Sequence, residues 1–372
     1  MEQIGLAHTR VHGGNPWELM RQRGFSKDQI VDFSVDVNPF GFPAVVRSTI
    51  LDHLDDIRCY PDPSARELRE AIAAYHQVPA ESILPGNGTA ELIGVLARLP
   101  HVKKCVIVVP TFGEYEWVME QAGVTTALVQ AVEPNKFRLD VAQQDWPRLL
   151  EGVDVVVLCN PNNPTGVVTS KDDVLEIAHR CHEVGARLIV DEAFVEFLEH
   201  PDKISVVAEA LQLGHVVVLR SLTKFFAIPG LRLGYLVACP AIVEELRAFQ
   251  PAWPLNTFAL AVGVRLLKET DYVVRSRQAI AELRDEFQRL LSALPGLQPF
   301  PSVTNFVLCR LADSGITSSE LCDRLVSQGL LLRNCDSFTG LELGRFIRVA
   351  VRNREENQRL VSALREALSH AR

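Results

Sequence analysis

Ser221-Leu222-Thr223-Lys224-Phe225-Phe226-Ala227-Ile228-Pro229-Gly230-Leu231-Arg232-Leu233-Gly234 sets a lysine behind two hydroxyl residues and eight positions ahead of an arginine. The apolar run at 215–219 (His-Val-Val-Val-Leu) reads as a strand that ends in this hydroxyl-rich turn, and Pro229-Gly230 interrupts the apolar stretch beyond it. A lysine at the end of a buried strand is partly desolvated, which makes its neutral, nucleophilic form accessible near neutral pH. Such an amine can form a Schiff base with a carbonyl. Ser221, Thr223 and Arg232 suit a phosphate, with Arg232 supplying a forked and permanently charged donor. A surface lysine in a loop would share this composition, so the decision falls to the segments upstream.

Residues 153–158 (Val-Asp-Val-Val-Val-Leu) form an apolar run of the kind expected of a strand buried on both faces. It empties into Cys159-Asn160-Pro161-Asn162-Asn163-Pro164-Thr165-Gly166, where prolines forbid a helix and a rigid turn can present side-chain amides. Another strand, 187–190, stops at Asp191-Glu192-Ala193-Phe194. A carboxylate at the end of an apolar strand is either a helix cap or a functional group at the rim of an open α/β sheet.

Asn163, then Asp191 after 28 residues, then Lys224 after 33 more, resembles the fold-type I pyridoxal-phosphate enzymes of the class I/II aminotransferase superfamily. The resemblance implies an α/β fold with a mainly parallel sheet in a large domain and a smaller α/β C-terminal domain. It makes Lys224 the Schiff-base lysine, Asp191 the partner of the pyridinium nitrogen and Asn163 the donor to the cofactor's phenolic oxygen. It also carries over Gly88 and Thr89, in Pro85-Gly86-Asn87-Gly88-Thr89-Ala90-Glu91-Leu92, as a phosphate-holding turn at a helix start. Without a third glycine that turn is no dinucleotide fingerprint. Phe112, after the strand 105–109, matches the aromatic that stacks on the ring. Ser221, Thr223 and Arg232 complete the phosphate set. Tyr60, in Cys59-Tyr60-Pro61-Asp62-Pro63, matches a tyrosine that reaches the cofactor phosphate of a neighbouring subunit, which implies a homodimer.

The 372 residues are too many for one ordinary core, and 47% hydrophobic composition allows a sizeable one. No stretch is long and apolar enough to span a bilayer, and no signal-peptide core opens the chain. Eight scattered cysteines and ten histidines show no metal-ligand spacing, so no metal is expected and a reducing cytoplasm is. A net charge of −8 without a basic stripe argues against nucleic acid. Strands and helices alternate from about 43 to 270, which predicts the mainly parallel sheet. Beyond lie a long charged helix at 272–294, strands at 304–310, 330–333 and 345–351, and helices at 318–328 and 355–370. Three parts are expected: an arm over 1–42, a cofactor-binding domain over 43–270 and a small domain over 271–372.

The opening Val11-His12-Gly13-Gly14-Asn15, the lysine stretch and the ending Phe346-Ile347-Arg348-Val349-Ala350-Val351-Arg352 together resemble the threonine-phosphate decarboxylases of cobalamin biosynthesis. Those act on L-threonine O-3-phosphate and release aminopropanol phosphate. Histidinol-phosphate aminotransferases are the near relatives, and transamination of histidinol phosphate or another amino acid is the alternative; a non-catalytic scaffold is the third reading. The resemblance places Arg333 and Arg348 on the substrate's carboxylate and phosphate, with His12, Gly13 and Asn38 closing over it. The aminotransferases commonly carry a tyrosine three residues after the ring-binding aspartate; Phe194 stands there, as in the decarboxylases. Asp36 departs from the asparagine usual in those relatives, and its negative charge weakens anion binding unless it pairs with an arginine or faces away.

Overall fold

The computed structural model describes residues 13–312 and 315–369. Its strands are β1 (Val31–Asp32), β2 (Ile83–Gly86), β3 (Lys104–Val109), β4 (Thr125–Gln130), β5 (Val155–Cys159), β6 (Arg187–Asp191), β7 (Val216–Ser221), β8 (Gly234–Val237), β9 (Leu297–Pro299), β10 (Phe306–Leu311), β11 (Leu330–Leu331), β12 (Arg333–Asn334) and β13 (Phe346–Ala350). Seven of them form one sheet in the order β2-β8-β7-β6-β5-β3-β4. Only β8 runs against the others: it pairs antiparallel with both β2 and β7, while β7, β6, β5, β3 and β4 are mutually parallel.

Both faces of this sheet are covered, and the strands show why. Along β3, β5, β6 and β7 successive side chains belong to alternate cores: Val156, Leu158, Leu188, Val190, Val216 and Val218 to one, and Val155, Val157, Ile189, Val217 and Leu219 to the other. A strand with two buried faces has no polar alternation, hence its continuous apolar run. Burying each of these side chains stabilises the fold by roughly 1.5–3 kcal/mol. The first core packs helices Arg66–His76, Lys171–Glu183 and Thr257–Leu266, and the second packs Thr89–Ala97 and Pro240–Arg247.

After the helix Thr270–Ser292 the chain forms a four-stranded antiparallel sheet, β12-β13-β10-β9, over its own core. The strand expected at 330–333 is in fact two short ones in different sheets. β11 pairs in parallel with β1 from the N-terminal segment, whereas β12 pairs with β13. Pro85-Gly86, read as part of a turn, closes strand β2 and is buried. The result is the α/β fold expected from the sequence.

Candidate active site

A cavity of about 380 Å³ opens at the C-terminal ends of β5, β6 and β7, between the large sheet and the small one. Strand ends are where an open α/β sheet collects function, because the loops there are free of ladder pairing. Lys224 follows β7 by three residues, and the Ser221 and Thr223 hydroxyls beside it lie 2.6 Å apart. Arg232, with its backbone in the left-handed region at φ 58°, turns its guanidinium over Gly88. A Cβ at position 88, where φ is +75°, would meet Arg232 Nη2 at 2.7 Å. Gly88 also caps the helix Thr89–Ala97 without any side-chain bond, leaving that helix's first amides for a ligand. A Cβ at Gly234 would meet the Thr89 amide nitrogen at 2.8 Å, so this glycine lets helix and β8 approach. Amides, two hydroxyls and a guanidinium at one end of the cavity make a donor set for a phosphate.

Asp191 ends β6 in register with Cys159 and is buried. Its Oδ2 accepts the Tyr115 hydroxyl at 2.7 Å and its Oδ1 accepts the Ala193 amide at 2.9 Å. Burial pushes its carboxyl up to about 6, against the lowering effect of those two bonds. Phe112 stands edge-on to Tyr115, with ring centroids 5.7 Å apart, and lines the cavity. Of the three asparagines in the 160–163 turn, two hold the turn itself. Asn160 exchanges bonds of 2.9 Å with Thr169, and Asn162 donates to the Pro110 carbonyl at 2.8 Å and accepts from Thr111 at 2.9 Å. Asn163 faces the cavity, where its Oδ1 accepts a bond from Arg348 Nη1.

The small sheet supplies the opposite wall. Arg333 and Arg348 are direct partners across β12 and β13, so both side chains leave the sheet on one face. Arg348 lies 5.0 Å over the Phe306 ring and donates through Nη2 to the Ser34 carbonyl at 2.9 Å; its Nε is buried without a hydrogen-bond partner among the described residues. Arg333 lies 4.9 Å over Phe338 and donates to Ser337 at 2.6 Å. Burial, then the charge of Arg348, pushes the Arg333 guanidinium below its ordinary pKa. Between these arginines and Lys224 sits Asp36: its Oδ1 accepts Lys224 Nζ at 2.9 Å and its Oδ2 faces Arg348 Nη1 at 3.4 Å. Burial alone would raise this carboxyl, but Arg348 and then Lys224 bring it down to about 2.

Most of the residues expected to share a site therefore do. Gly13, Gly88, Thr89, Phe112, Asn163, Asp191, Ser221, Thr223, Lys224, Arg232, Arg333 and Arg348 all line one cavity. Gly13 approaches so closely that a Cβ there would lie 2.3 Å from the Ser34 carbonyl oxygen. Of the other three expected residues, Asn38 alone departs from its expected place. His12 lies outside the described residues. Asn38 does not line the cavity: its amide donates to the Phe225 carbonyl and the Tyr272 hydroxyl, both at 2.9 Å, so it ties the N-terminal segment to the lysine loop. Tyr60 is 81% exposed and stacks on Trp253 with centroids 4.6 Å apart, away from this chain's own cavity. The Lys224 amine, expected to be partly desolvated, also finds a carboxylate within hydrogen-bond distance. Tyr115 was missed; an aromatic three residues after Phe112, in the first turn of helix Glu114–Gln121, was its only signal.

Known proteins resemble this chain along most of its length. The family model for aminotransferase class I and II matches residues 28–364. The threonine-phosphate decarboxylase of Salmonella typhimurium (strain LT2) is 37% identical over 360 residues, covering 96% of this chain and 97% of that protein. The crystal structure of the histidinol-phosphate aminotransferase from Clostridium acetobutylicum superposes with a TM-score of 0.85 at 31% identity, over 92% of this chain and 100% of that one. That of L-threonine-O-3-phosphate decarboxylase from Porphyromonas gingivalis gives a TM-score of 0.82 at 25% identity, over 91% of this chain and 100% of that one.

Proposed function

We propose, because the chain belongs to the aminotransferase class I and II family, that it is a pyridoxal-phosphate enzyme that decarboxylates L-threonine O-3-phosphate to aminopropanol phosphate in cobalamin biosynthesis. The likeness to the Salmonella decarboxylase along nearly the entire chain carries this reading. The donor set around Gly88, Ser221, Thr223 and Arg232 fits a phosphate group, and the flat face of Phe112 with the carboxylate of Asp191 fits a pyridine ring carrying a proton on its nitrogen. When bound, pyridoxal phosphate supplies an aldehyde with which Lys224 condenses, releasing water, and a ring that takes up the electron pair left when a bond at the substrate's Cα breaks.

The chain's own residues then have separable tasks. Gly88, Thr89, Ser221, Thr223 and Arg232 hold the cofactor's phosphate. Asp191 holds a proton on the ring nitrogen, and Tyr115 holds Asp191. Asn163 donates to the phenolic oxygen through its amide nitrogen, since its oxygen is taken by Arg348. Phe194 offers no hydroxyl there; it packs edge-on against Phe306 at 5.1 Å. Arg333 and Arg348 take the substrate's carboxylate and phosphate, with Gly13 above them. These arginines would orient the substrate's carboxylate, and that orientation would decide whether the bond from Cα to the carboxylate or the bond to hydrogen breaks. Lys224 returns the proton at Cα.

Further parts of the reading rest on the family likeness. The enzyme is a homodimer in which Tyr60 reaches the partner's cofactor phosphate. The exposed Leu51, Leu54, Ile57 and Tyr60, beside Trp253, form an apolar surface of the kind a second copy covers. The chain divides into an arm over 1–42, a cofactor-binding domain over 43–270 and a small domain over 271–372. It works in the cytoplasm: no described helix is long and apolar enough to cross a membrane, and all eight cysteines are free thiols. A second reading, transamination of histidinol phosphate, is favoured by the Clostridium likeness. Incubating the pure enzyme with threonine phosphate, beside histidinol phosphate plus 2-oxoglutarate, separates them. Carbon dioxide from the first alone supports the decarboxylase, and glutamate formed in the second replaces it.

A further inference from the structure

Asp36 is a buried carboxylate at the centre of the cavity, and none of the tasks above uses it. Its side chain is 4% exposed, yet it touches both the reactive lysine and a substrate-facing arginine. The segment that carries it is pinned from two sides. The Asn38 amide donates to the Lys224 carbonyl at 3.0 Å, and the Asn38 side chain holds the Phe225 carbonyl. On the other side the Ala350 amide donates to the Phe33 carbonyl at 2.9 Å, and Arg348 grips the Ser34 carbonyl. A carboxylate fixed to the lysine's own backbone and to β13 stays in place whether the lysine nitrogen is free or bonded.

We propose that Asp36 is a positioning residue that holds the Lys224 nitrogen and the Arg348 guanidinium at one carboxylate and keeps a proton on that nitrogen once it is bonded to the cofactor. The inference rests on the pyridoxal-phosphate reading above. The charges around the nitrogen make the case. From the small sheet Arg348, which shares Asp36 with it, and Arg333, which lines the same cavity, bring two positive charges to that side. From the large sheet comes Asp191, with the neutral Tyr115 and Cys159 behind it, but that carboxylate is bound by Tyr115 and Ala193 and serves the ring. Glu114 and Arg232 line the remaining sides. Among the described residues Asp36 is therefore the anion in contact with the nitrogen, and it offsets the two arginines.

The test uses the cofactor-loaded full-length protein without substrate. The visible absorbance of the lysine-bonded cofactor is titrated against pH for the parent, Asp36→Asn, Asp36→Ser and Asp36→Glu, with circular dichroism confirming folding. An opposite charge within hydrogen-bond distance shifts a protonation midpoint by about 1–3 pH units. Asp36→Asn should lower the midpoint by that amount, and Asp36→Glu should leave it near the parent's. Should the asparagine variant fail to fold, the serine variant reads the same loss of charge. Equal midpoints in the parent and a folded neutral variant overturn the proposal. A parent with no visible band and no borohydride-fixable cofactor overturns the cofactor reading instead.

Discussion

Tyr115→Phe removes one oxygen atom from a residue only 1% exposed, and that oxygen donates to Asp191 at 2.7 Å. Phenylalanine fills the same space, so packing is kept while the buried carboxylate loses a charge-assisted bond. A hydrogen bond to a charged group is worth about 1.5–3 kcal/mol. At roughly 1.4 kcal/mol per factor of ten, kcat/KM should fall about 10- to 150-fold, provided the ionised Asp191 acts in the rate-determining step. The pH dependence gives the reasoning a sharper edge. Burial already holds the carboxyl at about 6 despite the tyrosine, so its loss moves the value higher. A protonated Asp191 cannot attract the ring nitrogen's proton. Cofactor affinity of the variant should therefore lag the parent most near pH 6.5 and recover toward pH 8.5, where the carboxylate ionises regardless. Equilibrium dialysis of pyridoxal phosphate at both pH values, with carbon dioxide release from threonine phosphate, measures both effects. A rate within twofold of the parent and an affinity ratio independent of pH would refute the assignment of Tyr115 and Asp191 to the ring nitrogen.

Lys224→Ala should abolish turnover and borohydride-fixable cofactor while pyridoxal phosphate still binds non-covalently through Gly88, Thr89, Ser221, Thr223 and Arg232; persisting fixation would assign another lysine. Arg333→Ala or Arg348→Ala should each lose roughly 2–5 kcal/mol, tens- to thousands-fold in kcat/KM for threonine phosphate, as truncation of buried charge pairs does. If the parent handles unphosphorylated threonine equally well, or either variant keeps full efficiency, these arginines are structural. Asp191 also sets a pH effect in the cofactor-free protein. Because its folded pKa lies above the ordinary 3.8, its contribution to stability is fully present below that value and is lost as pH rises through about 6. Urea unfolding of the parent minus that of Asp191→Asn should therefore decline between pH 4 and 7, and a flat difference would remove the burial argument.

The chemistry of the site was legible in the sequence because it hangs on strand ends. Strands buried on both faces write themselves as unbroken apolar runs, and Asn163, Asp191 and Ser221, polar residues at or a few positions past their ends, fall at the same rim. Pairing was not legible. Nothing in Leu330-Leu331-Leu332-Arg333 says that its first two residues join β1 and its last joins β13, because both pairings are made with distant chain. Asn38 reads as a ligand-facing amide until its partners, Phe225 and Tyr272, are brought beside it from 187 and 234 residues away. Asp36 is the clearest case. As a sequence position it is an anion misplaced in an anionic-ligand site, and only the fold reveals that Lys224 and Arg348 meet on it.

Threonine phosphate labelled with carbon-13 in its carboxyl group, followed by nuclear magnetic resonance with the cofactor-loaded enzyme and no 2-oxo acid present, tests the central claim most directly. Decarboxylation predicts that the label leaves as carbon dioxide and bicarbonate while an unlabelled phosphorylated amino alcohol accumulates over many turnovers. Label that stays in the organic product, with conversion only when 2-oxoglutarate is added, would make the enzyme an aminotransferase and contradict the account.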